Sequence, residues 1–308
     1  MFEDMVLRNA SLPLAANPSA EARLVEDPLA ARVERALEAA VGRARGRGCP
    51  PRLAEALGYA VFPGGARLRP QLCLMAAVAS GDGRPAVADS AAAAVELLHC
   101  ASLVHDDLPC FDDAPLRRGK PTVHAAYGAP TAVLAGDALI VLAFEELGRA
   151  AAAAPELAGE LIATLARAAG AGGGITGGQA WEQEPAAPLD EYHRAKTAVL
   201  FEAAAALGAL SGGADPAPWR AFGERIGLAY QAADDLADTS GEAAALGKPV
   251  GRDAALDRPN LVRGRGARFA YRRLGELIAE ASDRVPPGAR ADEVRAWLAR
   301  LVARLGGR

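Results

Sequence analysis

Two clusters of aspartate stand out as residues able to do chemistry. The first is HDDLPCFDD, with Asp106, Asp107, Asp112 and Asp113; the second is QAADDLAD, with Asp234, Asp235 and Asp238. The first follows the helical run VADSAAAAVELLHCASLV, and Pro109 disfavours α geometry at Leu108, so Asp106 and Asp107 fall in the last helical turn. The second follows WRAFGERIGLAY, another amphipathic run, with Gly241 as its stop signal. A helix C-terminus carries about half a negative charge, so each acid there costs roughly 0.3–1 kcal/mol. Asp234 and Asp238 also share a face and repel. Two such ends in otherwise apolar helices call for a compensating cation. Hard carboxylate oxygens suit Mg²⁺, which binds through one or two carboxylates plus substrate phosphates.

Bases that would complete such a site lie near turns. They are Arg67 and Arg69 in FPGGARLRP, Arg117, Arg118 and Lys120 in PLRRGKP, Lys196 in RAKT, and Lys248 and Arg252 in LGKPVGRD. Guanidinium forks match phosphate oxygens, and lysine acts as a point charge. Singly, each reads as a surface base. With Mg²⁺ they describe a site for a heavily charged phosphate compound, walled by Ala, Leu and Val. A diphosphate head on an apolar tail has that chemistry.

The elements that must position these groups are helices. The chain has 308 residues, is rich in Ala and Leu, and has only 5% aromatic residues, a composition that favours helix over strand. Leu29, Val33, Leu37 and Val41 form one apolar stripe at spacing four. Glycine and proline breakers punctuate the later runs, and no alternating pattern, repeat or linker divides them. The expected fold is all-α: a loose tail over 1–28, then a single-domain helical bundle over 29–308. Gly172, Gly174 and Gly177 match GxGxxG, but the preceding LIATLARAAGA is helical, so they read as a structural break.

A net charge of −4 argues against general nucleic-acid binding. Cys49, Cys73, Cys100 and Cys110 form no CxxC pair, which reads as a reduced, cytoplasmic setting. No uninterrupted apolar run reaches 18 residues, so no membrane span is expected. Glu3 and Asp4 at the N-terminus do not fit a signal peptide.

The chain resembles the trans-isoprenyl diphosphate synthases, the polyprenyl synthetase family, and among them the bacterial short-chain geranylgeranyl and farnesyl diphosphate synthases. PGGARLRP, ELLHCASLVHDDLPCFDDAPLRRGKPTVH, LAGDAL, GGQAWE, AKT, YQAADDLAD and GKPVGRD carry the resemblance, in the family's order, across about residues 30–265. It implies an all-α bundle around a central cavity, usually a homodimer. The implied reaction is Mg²⁺-dependent head-to-tail condensation of isopentenyl diphosphate with an allylic diphosphate, with three Mg²⁺ per substrate-loaded site. Asp106, Asp107 and Asp112 are implied as metal ligands on one side, and Asp234, supported by Asp235 and Asp238, on the other. Arg117, Lys196 and Lys248 are implied contacts of the allylic diphosphate; Arg69, His99 and Arg118, of isopentenyl diphosphate. Thr197 and Gln231 are implied to line the place where the allylic cation forms.

His99 lies seven residues before Asp106, about two helical turns, and so faces the same mouth. His105 and His124 read as structural, and Glu182 and Glu184 as solvated, although members of the family it resembles often carry an acid near there. The sequence departs from the family's GGKRxRP at Ala66, where a lysine contact to isopentenyl diphosphate is lost. Ala101 and Ser102, five and four residues before Asp106, would form the floor under the growing product. In the family a bulky aromatic at this level blocks growth at fifteen carbons, and the small pair here favours geranylgeranyl over farnesyl diphosphate. The rivals are a farnesyl diphosphate synthase, a terpene cyclase, and a non-catalytic partner subunit of a heteromeric synthase. The paired basic set argues against the cyclase, which needs one diphosphate site; Ala66 favours the subunit, and the complete acid motifs argue against it, since a pure scaffold has no reason to keep uncompensated carboxylates.

Overall fold

The computed structural model describes residues 28–240, 259–288 and 290–306. It is all-α apart from one short hairpin. The helices are α1 (Pro28–Ala44), α2 (Pro51–Val61), α3 (Leu68–Ala79), α4 (Pro85–Asp106), α5 (Val123–Tyr127), α6 (Ala129–Ala153), α7 (Ala158–Ala169), α8 (Ile175–Ala180), α9 (Leu189–His193), α10 (Val199–Gly212), α11 (Pro216–Ser240), α12 (Leu261–Arg265), α13 (Ala267–Asp283) and α14 (Ala291–Gly306). Proline opens α1, α2, α4 and α11, where its missing N–H has no helical partner to lose. The stripe expected on α1 is the buried one: Val33, Leu37 and Val41 are in the core, with Leu29 packed at its edge.

Helix α4 is the axis of the bundle. It is long and apolar enough to cross a bilayer, yet 72% of its most apolar window is buried inside the protein. Helix α6 lies along one side of it, and α3 and α10 along others. Small residues let these helices approach closely. The crossing of α11 over the segment before α10 is tightest at Gly227, where a Cβ would come 2.5 Å from Ala198 Cα. That contact sets Gln231, one turn on, beside Thr197.

The structure adds two features to the helical pattern. The first is a hairpin of β1 (Leu116–Arg117) and β2 (Lys120–Pro121). Its turn residues Arg118 and Gly119 both have positive φ, as a tight two-residue turn demands. The second is a π-helical turn over Arg194–Ala198, which carries Lys196 and Thr197. Extra-residue turns of this kind concentrate at functional sites.

Helix α4 ends at Asp106 with Asp107 as its cap, as expected. Helix α11 runs on to Ser240, so Asp234 stands more than a turn inside its end rather than in the last turn. Residues 1–27 and 241–258, which include Lys248 and Arg252, lie outside the described residues.

Candidate active site

The loop after α4 folds back on the helix end. The amide of Asp112 donates to Asp106 O at 2.9 Å, and that of Ala114 to Asp107 O at 3.1 Å. The residues from Leu108 to Phe111 thus form a bend that returns Asp112 to Asp106. Asp113 points outward at positive φ. The third member of the cluster is Glu182. One carboxylate oxygen from each of Asp106, Asp112 and Glu182 lies within 4.8 Å of the others. Three hard oxygens with no nitrogen or sulfur donor fit Mg²⁺.

Glu182 corrects the expectation of a solvated acid. Its side chain is 3% exposed. It accepts hydrogen bonds from Tyr192 Oη at 2.7 Å and Gln179 Nε2 at 2.9 Å, and it pairs with Lys196 Nζ. Glu184 is exposed, as expected. Lys196 also stands 3.5 Å from Asp106 Oδ1. Arg117 donates two hydrogen bonds of 2.7 Å to the two oxygens of Asp107 and reaches Asp106 at 3.3 Å. Burial pushes the Asp107 carboxyl up from its ordinary pKa, and Arg117 opposes the shift. Asp107 therefore fixes Arg117 at the edge of the cluster.

The second basic group stands on α3 and α4. Arg69 Nη1 is 3.5 Å from His99 Nε2, and its guanidinium stacks over Phe201, 4.4 Å from the ring centroid, with Tyr230 at 5.7 Å. Its buried Nε has no hydrogen-bond partner, an open donor in a cationic pocket. Burial lowers the Arg69 pKa, against the pull of Tyr230, Glu96 and Asp234. Burial, then the charges of Arg69, Arg118, Arg117 and Arg67, holds His99 well below its ordinary pKa, so the imidazole is neutral at pH 7. Arg118 is exposed on the hairpin turn.

Two bases turn out to be structural. Arg67, at a φ of 51°, points inward; it donates to Glu34 and Glu96 at 2.8 Å and to Val61 O at 2.8 Å. Lys120 donates to the carbonyls of Tyr59 and Phe62. His105 Nε2 lies 3.3 Å from Val133 O and His124 Nε2 2.9 Å from Ala114 O. On α11, Thr197 Oγ1 donates to Gln231 Oε1, Gln231 Nε2 donates to Asp235 at 2.7 Å, and Asp238 is half-buried. Ala101 is fully buried; Ser102 is half-buried and donates to His99 O at 2.8 Å.

Residues 50–283 match the model of the family described as polyprenyl synthetase. The chain belongs to the polyprenyl synthetase family. It is 52% identical over 275 residues to the geranylgeranyl diphosphate synthase of Cereibacter sphaeroides, covering 88% of this chain and 96% of that one. Among solved structures it is similar to an FPP/GFPP synthase from Zymomonas mobilis, at 32% identity and a TM-score of 0.73, over 89% of this chain and 99% of that one. It is also similar to the geranyltransferase of Helicobacter pylori complexed with magnesium and isoprenyl diphosphate, at 29% identity and a TM-score of 0.72, over 90% and 98% of the two chains.

Two histidines of this prenyltransferase, buried His193 and half-buried His99, give its folded state a pH dependence. Burial, opposed by Asp190, lowers His193 to about 4. The unfolded chain takes up that proton near pH 6.5, so stability is lost as pH falls from about 6.5 and levels off below about 4. His99 acts with the same sign. His193 alone should remove ~2 kcal/mol between pH 7 and pH 5. Urea midpoints of the substrate-free protein at the two pH values measure it, and His193→Gln should flatten the difference. Equal wild-type midpoints would exclude the shift.

Proposed function

We propose that this synthetase condenses isopentenyl diphosphate head to tail with an allylic diphosphate and releases geranylgeranyl diphosphate. The observation that carries the reading is the Asp106, Asp112 and Glu182 oxygen cluster flanked by Lys196 and Arg117, together with a second basic group at Arg69 and His99. One charged group serves each diphosphate. The geranylgeranyl product is supported by the Cereibacter sphaeroides relative and by the small pair Ala101 and Ser102.

Asp106, Asp112 and Glu182 would hold Mg²⁺ on one side, and Asp234 with Asp238 on the other, three ions in all. Bound there, Mg²⁺ supplies positive charge for the departing diphosphate. Lys196 and Arg117, with Lys248, bind the allylic diphosphate and steady the negative charge that develops as its C–O bond breaks. Arg69, His99 and Arg118 hold isopentenyl diphosphate with its double bond toward the allylic carbon. Thr197 Oγ1 and Gln231 Oε1 face the cationic carbon. The π electrons of isopentenyl diphosphate form the new C–C bond, and the proton lost beside it passes to the released diphosphate. Ala and Leu walls exclude the water that would quench the cation.

The purified full chain, given isopentenyl diphosphate, allylic primers of five, ten and fifteen carbons and Mg²⁺, should release a twenty-carbon product. A fifteen-carbon product assigns it as a farnesyl diphosphate synthase. No product from any primer assigns it as a non-catalytic subunit, the reading that Ala66 favours. Ala66→Lys should restore one charged contact and lower the KM for isopentenyl diphosphate about tenfold, with the KM for the primer unchanged. Equal shifts in both would remove position 66 from the isopentenyl site.

We also propose a homodimer in the cytoplasm. The four cysteines form no disulfide, which suits a reducing compartment. The outer face of α6 leaves Val133, Leu134 and Val141 exposed, with half-buried Ile140 and Phe144 beside them, an apolar stripe that a second copy would cover. Wild type should sediment as a dimer, and the double variant Leu134→Arg and Val141→Arg as a monomer. A dimeric variant would place the interface elsewhere.

A further inference from the structure

The family resemblance gives Asp235 a supporting metal role, but its surroundings point another way. Asp235 is 1% exposed. Both of its carboxylate oxygens meet protein donors. Oδ1 accepts from Gln231 Nε2 at 2.7 Å, and Oδ2 accepts from the backbone N–H of Leu261 at 2.7 Å. His193 Nε2 is 3.4 Å from the same Oδ2. Helix α11, helix α9 and the start of α12 thus converge on one buried acid.

Gln231 is the neighbour on which this matters. A carboxamide offers an acceptor at one end and two donors at the other, and its orientation follows from its partners. An ionised carboxylate only accepts. Asp235 therefore draws the NH₂ of Gln231 toward itself, and the carbonyl Oε1 turns to Thr197, whose hydroxyl donates to it. The reversed amide would set oxygen against carboxylate at one end and would present NH₂ to the allylic carbon at the other. A carbonyl oxygen stabilises positive charge that develops beside it; an NH₂ group opposes it.

We propose that Asp235 is a positioning residue, locked by the backbone N–H of Leu261, that holds the Gln231 carbonyl toward the allylic cation and does not ligate Mg²⁺. The inference rests on the proposed condensation for its consequence in turnover, but its prediction for metal binding stands without it. Asn is the informative replacement: it keeps the shape, yet it can accept from Gln231 or from Leu261 and not from both.

The test compares Asp235→Asn, Asp234→Asn and Gln231→Leu in the full chain. Thermal-shift titration with Mg²⁺ and inorganic pyrophosphate reads metal binding without turnover. There Asp235→Asn should keep the wild-type half-saturation within about twofold, and Asp234→Asn should raise it tenfold or more, the 10–100-fold range by which altered metal shells cost affinity. In the condensation assay, Asp235→Asn should lower kcat about 10–100-fold with both KM values and the Mg²⁺ activation curve unchanged, the scale of lost electrostatic positioning. The double variant with Gln231→Leu should be no slower than Gln231→Leu alone, because both act through one group. A raised Mg²⁺ half-saturation in Asp235→Asn matching that of Asp234→Asn, or multiplicative losses in the double variant, would overturn the assignment. Should Asp235→Asn fail to fold, Asp235→Glu keeps the charge, displaces the carboxylate, and is read by the same metal titration against Asp234→Asn. An inactive wild type would defeat the proposed function and still leave that titration to decide the role of Asp235.

Discussion

Asp106→Ala should lower turnover by about a thousandfold or more in a chain that still folds. The size of the effect follows from how many partners share this one carboxylate. It contributes an oxygen to the cluster with Asp112 and Glu182, stands 3.5 Å from Lys196 Nζ, and accepts from Arg117 at 3.3 Å. Its removal weakens the cation site and frees Lys196 and Arg117 from a common partner. Loss of one preorganised group that stabilises developing charge costs 10²–10³ in kcat, and here the metal site is weakened as well. Folding is the smaller concern, since Asp106 closes α4 at a half-buried position and the core beneath it is Ala, Val and Leu. Steady-state turnover at saturating Mg²⁺ and substrates, with circular dichroism as the control, gives the answer. Chelation should abolish wild-type turnover in the same assay. Activity within about tenfold of wild type would detach Asp106 from the chemistry.

The first acidic cluster was legible because its signal is local. Pro109 fixes the helix end, and the spacing to Asp112 suits a short bend, which the Asp112 amide to Asp106 carbonyl contact closes. What escaped the sequence depends on direction. Arg67 and Arg69 are two residues apart in a basic motif, yet one turns inward to Glu34 and Glu96 and the other turns to His99 and Phe201. That choice is made by the left-handed backbone at Arg67 and by an acid twenty-nine residues away on α4. Glu182 has the same problem in reverse. A solvated acid and a buried one are written with the same letter, and only Gln179, Tyr192 and Lys196 closing around it distinguish them. The clues available were the resemblance, since family members often carry an acid near this place, and the spacing of Gln179 and Glu182, one helical turn apart, with Lys196 following. The π-helical turn that presents Lys196 and Thr197 has no composition of its own, and it packs against α11 at Gly227.

Ala101→Tyr should shift the main product from twenty carbons to fifteen while Mg²⁺-dependent turnover persists. Ala101 lies five residues before Asp106, about 7.5 Å down the axis of α4 from the proposed metal site. A chain growing away from the cluster along this helix passes that level before it passes any residue closer to the N-terminus of α4. Ala101 is fully buried among packed helices, so a phenol there has two possible fates. If the space beside it is the product channel, the ring occupies the channel, the product shortens and the fold keeps its stability. If the space is packed core, the ring is forced into it at roughly 1–3 kcal/mol, the melting temperature falls and the product stays at twenty carbons. Product chromatography and a melting curve on the same preparation separate the two. Ser102→Ala, which removes only a hydroxyl bonded to the His99 carbonyl, should leave the product length unchanged. A stable, active Ala101→Tyr enzyme that still releases the twenty-carbon product would place the floor on another helix.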